Sequence, residues 1–133
     1  MAQATERLQR YLDDELEECR NEDVERRLDE LSTLEAGLGT ERAQAELEVL
    51  SALSNETRYT LVRVLVAAED DLCVCELNAV VDVTESGLSH ALSALVEAGL
   101  VEGWKDGRWK KYRATNQAVA LVTVLEGSVS IDE

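Results

Sequence analysis

Two cysteines stand one residue apart in "DLCVCEL", residues 71 to 77, and the chain has one more, Cys19, far upstream. Deprotonated thiols are soft ligands, so this pair suits a thiophilic ion, whereas magnesium and calcium seek oxygen. Three cysteines cannot all pair within one chain, and a reducing cytosol keeps thiols free, so a disulfide framework is not expected. His90 is the sole histidine. A general acid or a zinc ligand is conceivable for a lone histidine, but a catalytic role is not expected, and the chain does not read as an enzyme.

The formal net charge of −15 argues against a nucleic-acid partner until its distribution is considered. Residues 1 to 83 hold 21 acidic and 8 basic side chains, whereas residues 84 to 115 hold 4 and 5, and all three lysines, Lys105, Lys110 and Lys111, lie within seven positions. The remaining surface is acidic and uses arginine in place of lysine, a composition that resembles proteins of salt-accumulating halophiles. No window has the apolar length of a membrane span, and "MAQATERLQRYLDDELEEC" lacks a signal peptide's apolar centre, so a cytoplasmic protein is expected.

These residues need elements to position them. With no proline, no phenylalanine and few aromatics, a mainly helical chain is favoured. Leu8, Tyr11, Leu12, Leu16 and Cys19 recur at helical steps, and Leu28, Leu31 and Leu34 resume the spacing after Val24. The register breaks between Cys19 and Val24, so either two helices, the second capped by Asn21, or one helix with a stutter fits. "GLGT" at 37–40 marks a boundary. Beyond it a helix over 41–53 is expected, then one capped by Asn55 with Leu61, Val62, Leu65 and Val66 as its apolar stripe. "CVCELNAVV" reads as a short helix, and Thr84 can cap "ESGLSHALSALVEAGL", which Gly99 stops. Two short helices joined by a tight turn form the helix-turn-helix pattern. "LVEGW" and "WKKYRAT", joined through "KDGR", predict a two-stranded wing. "NQAVALVTVLEG", capped by Asn116, is too apolar for a lone exposed helix and either meets a partner subunit or lies on the core.

The order of these elements, with "LSNETRYTLVRVL", "DLCVCEL", "SGLSHALSALVEAGLV" and "KDGRWKKYR", resembles the ArsR/SmtB family of metal-responsive winged-helix repressors over residues 47 to 127. The resemblance implies a mainly α (α+β) fold: a winged helix-turn-helix with a two-stranded β-wing, joined to an added N-terminal helical extension, in a homodimer. The domains would be an acidic helical extension at 1–40, a DNA-binding and sensor domain at 41–127 and a tail at 128–133. It further implies a repressor that sits on double-stranded operator DNA and falls off when a thiophilic ion binds, As(III) or Sb(III) before others, with no obligatory cofactor and no membrane partner. Carried over by position, Cys73 and Cys75 would be the ligands. Thr84 would start the recognition helix, with Glu85, Ser86, Ser89, His90 and Ser93 on its exposed face, while Lys105, Arg108, Lys110 and Lys111 would approach phosphates from the wing. Glu85 stands where relatives often carry glutamine. Zinc sites that relatives build on the last helix need a set of histidines and carboxylates, whereas "NQAVALVTVLEG" has no histidine and the single carboxylate Glu126, so that site is not expected.

Cys19 has two readings: a third sulfur, brought by the N-terminal helix to the other subunit's pair, or a thiol filling an apolar helix position. Trp104 and Trp109 could stack on nucleic acid or close the hairpin's core face. Residues two apart on an α-helix are turned by about 200°, so a helix that includes both Cys73 and Cys75 would hold their sulfurs apart. One ion bridging both needs them within roughly 4 Å, given bonds near 2.3 Å. From this follows the expectation that ion binding and the helical start exclude each other. Proximity to a helix N-terminus lowers a thiol's pKa while Glu69, Asp70, Asp71 and Glu76 raise it, and the balance stays open.

Competing readings are a Cd(II)-, Pb(II)- or thiol-redox-responsive repressor of the same fold, a constitutive winged-helix DNA-binding protein, and a dithiol oxidoreductase. The last would need a βαβ setting that the pattern does not supply. In molar salt the gain from counterion release fades, so base edges, DNA shape and paired half-sites would carry specificity for an acidic protein.

Overall fold

The computed structural model describes residues 2–16 and 19–131, the side chain of Ala2 excepted. The chain divides into two compact units, Met1–Gln44 and Ala45–Glu133.

In the first unit, α1 (Ala2–Glu15) and α2 (Asn21–Leu38) touch, and Leu12 and Val24 are buried. Two helices, not one with a stutter, occupy this stretch. The cap of the second is Arg20 and not Asn21, which is already helical: the Arg20 backbone N–H donates to Asp23 Oδ2 at 2.9 Å, so a carboxylate in the first turn closes the helix start. Gly39, at φ +74°, ends α2 in a conformation that a side chain would resist.

The helix α3 (Thr40–Leu53) is followed by α4 (Glu56–Ala68), whose N-cap is Asn55, its Oδ1 accepting from Arg58 N at 3.0 Å. Arg58 reaches back, Nε donating to the Ala52 carbonyl at 2.6 Å and Nη2 to that of Ser51 at 3.2 Å, and so closes the end of α3. Leu61, Val62 and Leu65 form the buried stripe of α4 that the spacing predicts. They join one apolar cluster with Leu77 of α5 (Val74–Val80), Leu88, Leu92 and Leu95 of α6 (Glu85–Glu97), and Ala118 and Val122 of α7 (Asn116–Ser128). The helix α7 thus lies on the core with one face, through Ala118 and Val122, while Val119, Val124 and Leu125 stay exposed. Its N-cap is Thr115, whose Oγ1 accepts from Ala118 N at 3.3 Å and donates to the Gly99 carbonyl at 2.8 Å; Asn116 is the first helical residue.

The wing is a hairpin of β2 (Val101–Asp106) and β3 (Trp109–Ala114). Gly107 turns it at φ +66°, as a two-residue loop with glycine first requires. Gly103 faces Tyr112 so closely that a Cβ there would lie 2.6 Å from the ring. A third strand, β1 (Leu72–Cys73), pairs antiparallel with β3, giving the order β1-β3-β2. The expected two-stranded wing therefore continues into the segment that carries the cysteines.

Candidate metal site and nucleic-acid face

Cys73 is the N-cap of α5, with φ −69° and ψ 148°, and the helix starts one residue later than the sequence pattern implies. That single residue reverses the geometric expectation. An N-cap side chain folds back over the first turn toward the N2 and N3 amides, and Cys75 is N2. The two sulfurs consequently meet at 2.7 Å, with Cys75 Sγ donating to Cys73 Sγ, which also accepts from Cys75 N at 3.3 Å. No unwinding is needed to bring them together. Two sulfurs on one tetrahedral ion with bonds near 2.3 Å lie roughly 3.8 Å apart, so the pair opens by about 1 Å to take an ion.

Glu76 completes the start of α5, its Oε1 accepting from Cys73 N at 2.9 Å. The C-x-x-E spacing is that of a capping box with sulfur in place of a hydroxyl, a signal legible in the sequence but missed. Cys73 is buried and Cys75 exposed. The hydrogen bond from the Cys75 thiol, reinforced by the Cys75 amide, holds the Cys73 thiol below the usual thiol range. Donating that hydrogen bond pushes Cys75 the other way, with partial burial and the neighbouring sulfur's charge adding to it. The first proton therefore leaves from Cys73, and because the sulfurs interact, the two steps belong to the pair. An ultraviolet thiolate titration of the ion-free protein is expected to show a first step below the ordinary thiol range that disappears in Cys73→Ser. Ion affinity should weaken as pH falls below that step, since protons then compete for the sulfur. A first step unchanged in Cys73→Ser contradicts this assignment.

Cys19 lies in the other unit, just before α2, half-buried, with its Sγ 3.8 Å from the Arg20 carbonyl. Desolvation and Asp13 push its thiol up. Among the described residues, no three of histidine, cysteine, aspartate and glutamate already surround one point.

On α6, Thr84 Oγ1 caps the helix by accepting from Gly87 N at 3.0 Å. Leu88, Ala91, Leu92 and Leu95 face the core, and Thr84, Glu85, Ser86, Ser89, His90 and Ser93 are all exposed. The wing divides its cations between two faces. Lys105 and Lys110 are opposite each other on one face, with Lys110 Nζ 5.6 Å from the centre of the Tyr112 ring. Arg108 is at the turn, 5.4 Å over Trp109, and Arg113 lies 5.4 Å over Trp104. Lys111 is on the other face, its Nζ 3.0 Å from Asp106 Oδ2, and its backbone partner across the sheet is Cys73. That carboxylate, then Asp71 and Cys73, hold the Lys111 ammonium above its ordinary range. Sequence reasoning missed this neighbour of the cysteine pair, because a two-residue strand carries no alternation to reveal it.

A family model described as "Bacterial regulatory protein, arsR family" matches residues 55–103. Over 125 residues the chain is 52% identical to the putative arsenical resistance operon repressor ArsR of Halobacterium salinarum, covering 94% of this chain and 97% of that one. The cadmium resistance transcriptional regulatory protein CadC of Listeria innocua is 35% identical over 81 residues, covering 61% of this chain and 66% of that one. Among solved structures, HlyU from Vibrio cholerae has a similar fold, with a TM-score of 0.60 at 24% identity over 67% of this chain and 96% of that one.

Proposed function

The chain belongs to the arsR family of bacterial regulatory proteins, and from that premise we propose that it is a dimeric repressor of a metal(loid)-resistance operon, released from its operator when a thiophilic ion bridges Cys73 and Cys75. The observation that carries this reading is the meeting of the two sulfurs at 2.7 Å on a residue with two structural duties. Cys73 caps the first helix of the helix-turn-helix and pairs with Lys111 in the wing. An ion that spreads the sulfurs and replaces their hydrogen bonds acts at once on α5, the helix that braces α6, and on the wing. Arsenite or antimonite is the favoured inducer, in keeping with the name of the Halobacterium relative. Cd(II) is the second reading, favoured by the likeness to CadC.

In the ion-free form Ser86, Ser89, His90 and Ser93 face base edges from α6, with Thr84 and Glu85 at its start. Lys105, Arg108, Lys110 and Lys111 supply the wing's positive charge toward phosphates. Two-fold pairing of half-sites follows from dimerisation through the exposed apolar side of the second unit, where Leu50, Leu125, Val129 and Ile131 border a cleft of about 680 Å3. Cys19 of one subunit supplies a third sulfur to the other's pair when the ion demands three. The acidic, lysine-poor composition supports work in a salt-rich cytoplasm; no helix among the described residues is long and apolar enough to cross a membrane.

The test is fluorescence anisotropy of a DNA fragment from upstream of the protein's own gene, in molar potassium chloride. Tight binding that is lost on adding arsenite, with Cd(II) run in parallel, is the expected outcome. Binding that neither ion moves would overturn the reading.

A further inference from the structure

One pocket, of about 390 Å3, is lined by Val74, Cys75 and Asn78 of α5 and by Glu85 and Leu88 of α6. It places Cys75, the exposed member of the pair, beside Glu85, the first residue of the recognition helix, with Cys73 behind Cys75 at their sulfur contact. Asn78 is one turn beyond Cys75 and Leu88 one turn beyond Glu85, so each polar group sits at the start of its helix, and the buried Leu88 contributes an apolar wall. Two sulfurs leave a thiophilic divalent ion short of ligands, since such ions take about four. The carboxylate nearest in sequence, Glu76, is committed to the Cys73 amide at 2.9 Å. Glu85 has no hydrogen bond or ion pair among the described residues, and its exposed position leaves the side chain free to change rotamer.

We infer that Glu85 is an oxygen ligand when the ion sensed is a thiophilic divalent cation such as Cd(II): its carboxylate turns into the pocket and joins Cys73 and Cys75 around it. The inference rests on the cysteine pair being the sensing site and adds the group that ties the ion to α6. Among the described residues no third thiol, imidazole or carboxylate is gathered with the two sulfurs, so the Glu85 carboxylate has to move to join them, and Glu85 is the first residue of the helix that carries the DNA-facing serines and His90. Coordination thereby draws the start of α6 toward α5. It also gives a use to a negative charge placed where phosphate would repel it.

Cd(II) titration of the full-length, DNA-free protein tests this, read by ultraviolet thiolate-to-cadmium absorption in competition with a chelator. Wild type, Glu85→Gln, Glu85→Asp and Cys73→Ser are compared. Glu85→Gln is expected to keep the full absorption per bound ion, because both sulfurs still bind, while its affinity falls about ten- to a hundred-fold, the range seen when a metal site loses a supporting group. Glu85→Asp should recover part of the loss. Equal affinity of Glu85→Gln and wild type, with the cadmium–thiolate band present in both, overturns the Glu85 assignment and leaves the cysteine pair standing. Absence of the band in wild type overturns the cysteine reading itself, and the Glu85 assignment with it.

Discussion

Cys73→Ser is expected to lower ion affinity by at least about a hundred-fold and to abolish ion-driven release of DNA, because a hydroxyl is a poor ligand for a soft ion and one sulfur cannot chelate. The same change should spare the fold. Serine is a preferred N-cap, and its oxygen can accept from the amides that Cys73 Sγ now serves, so α5 keeps its start. Cys75→Ser should lose ion affinity to a similar degree with even less structural effect, since Cys75 is exposed and makes no cap. Thermal unfolding and operator binding without ion, measured beside arsenite and Cd(II) titrations, check the separation. If either serine variant still releases DNA at wild-type ion concentrations, the pair is not the sensor.

Leu92→Ala should give a large loss of stability. Leu92 is 1% exposed, on α6, within the single cluster that joins α4, α5, α6 and α7. Truncating such a leucine costs about 2–5 kcal/mol, through lost burial and the cavity left behind. Against a total near 5–15 kcal/mol, that is a large fraction. The helix presenting Ser89, His90 and Ser93 would lose its anchor, so operator binding should fall with the folded population. Denaturant unfolding at fixed protein concentration and molar salt measures it, concentration being held because the stability of the proposed dimer depends on it. A cost under about 1 kcal/mol would mean that the core does not hold α6 in place.

Much of the second unit can be read from residue spacing. The stripe of Leu61, Val62 and Leu65, the caps at Asn55 and Thr84, the stop at Gly99 and the turn at Gly107 each follow from a local rule that the packing does not override. The caps at Arg20 and Thr115 were missed by one residue each, because Asn21 and Asn116 are themselves good cap residues and only the backbone dihedrals distinguish the neighbours. The same one-residue uncertainty had a larger consequence at Cys73. Placed inside the helix, it opposes Cys75; placed at the cap, it touches it. The third strand and the proximity of Lys111 to Cys73 depend on pairing between segments nearly forty residues apart, which no local pattern encodes. The pocket shared by Cys75 and Glu85 is likewise a product of how α5 and α6 pack.

The central claim is that one ion held by Cys73 and Cys75 and one operator held by α6 and the wing destabilise each other. Such coupling is reciprocal: whatever factor the ion takes from DNA affinity, DNA must take from ion affinity. The direct measurement is the arsenite or Cd(II) dissociation constant of the protein, free and saturated with operator DNA in the same molar-salt buffer. Weaker ion binding on the operator, by the factor found for DNA in the converse titration, is the predicted result. Equal ion affinity in the two states, with both sulfurs bound to the ion in each, would contradict it.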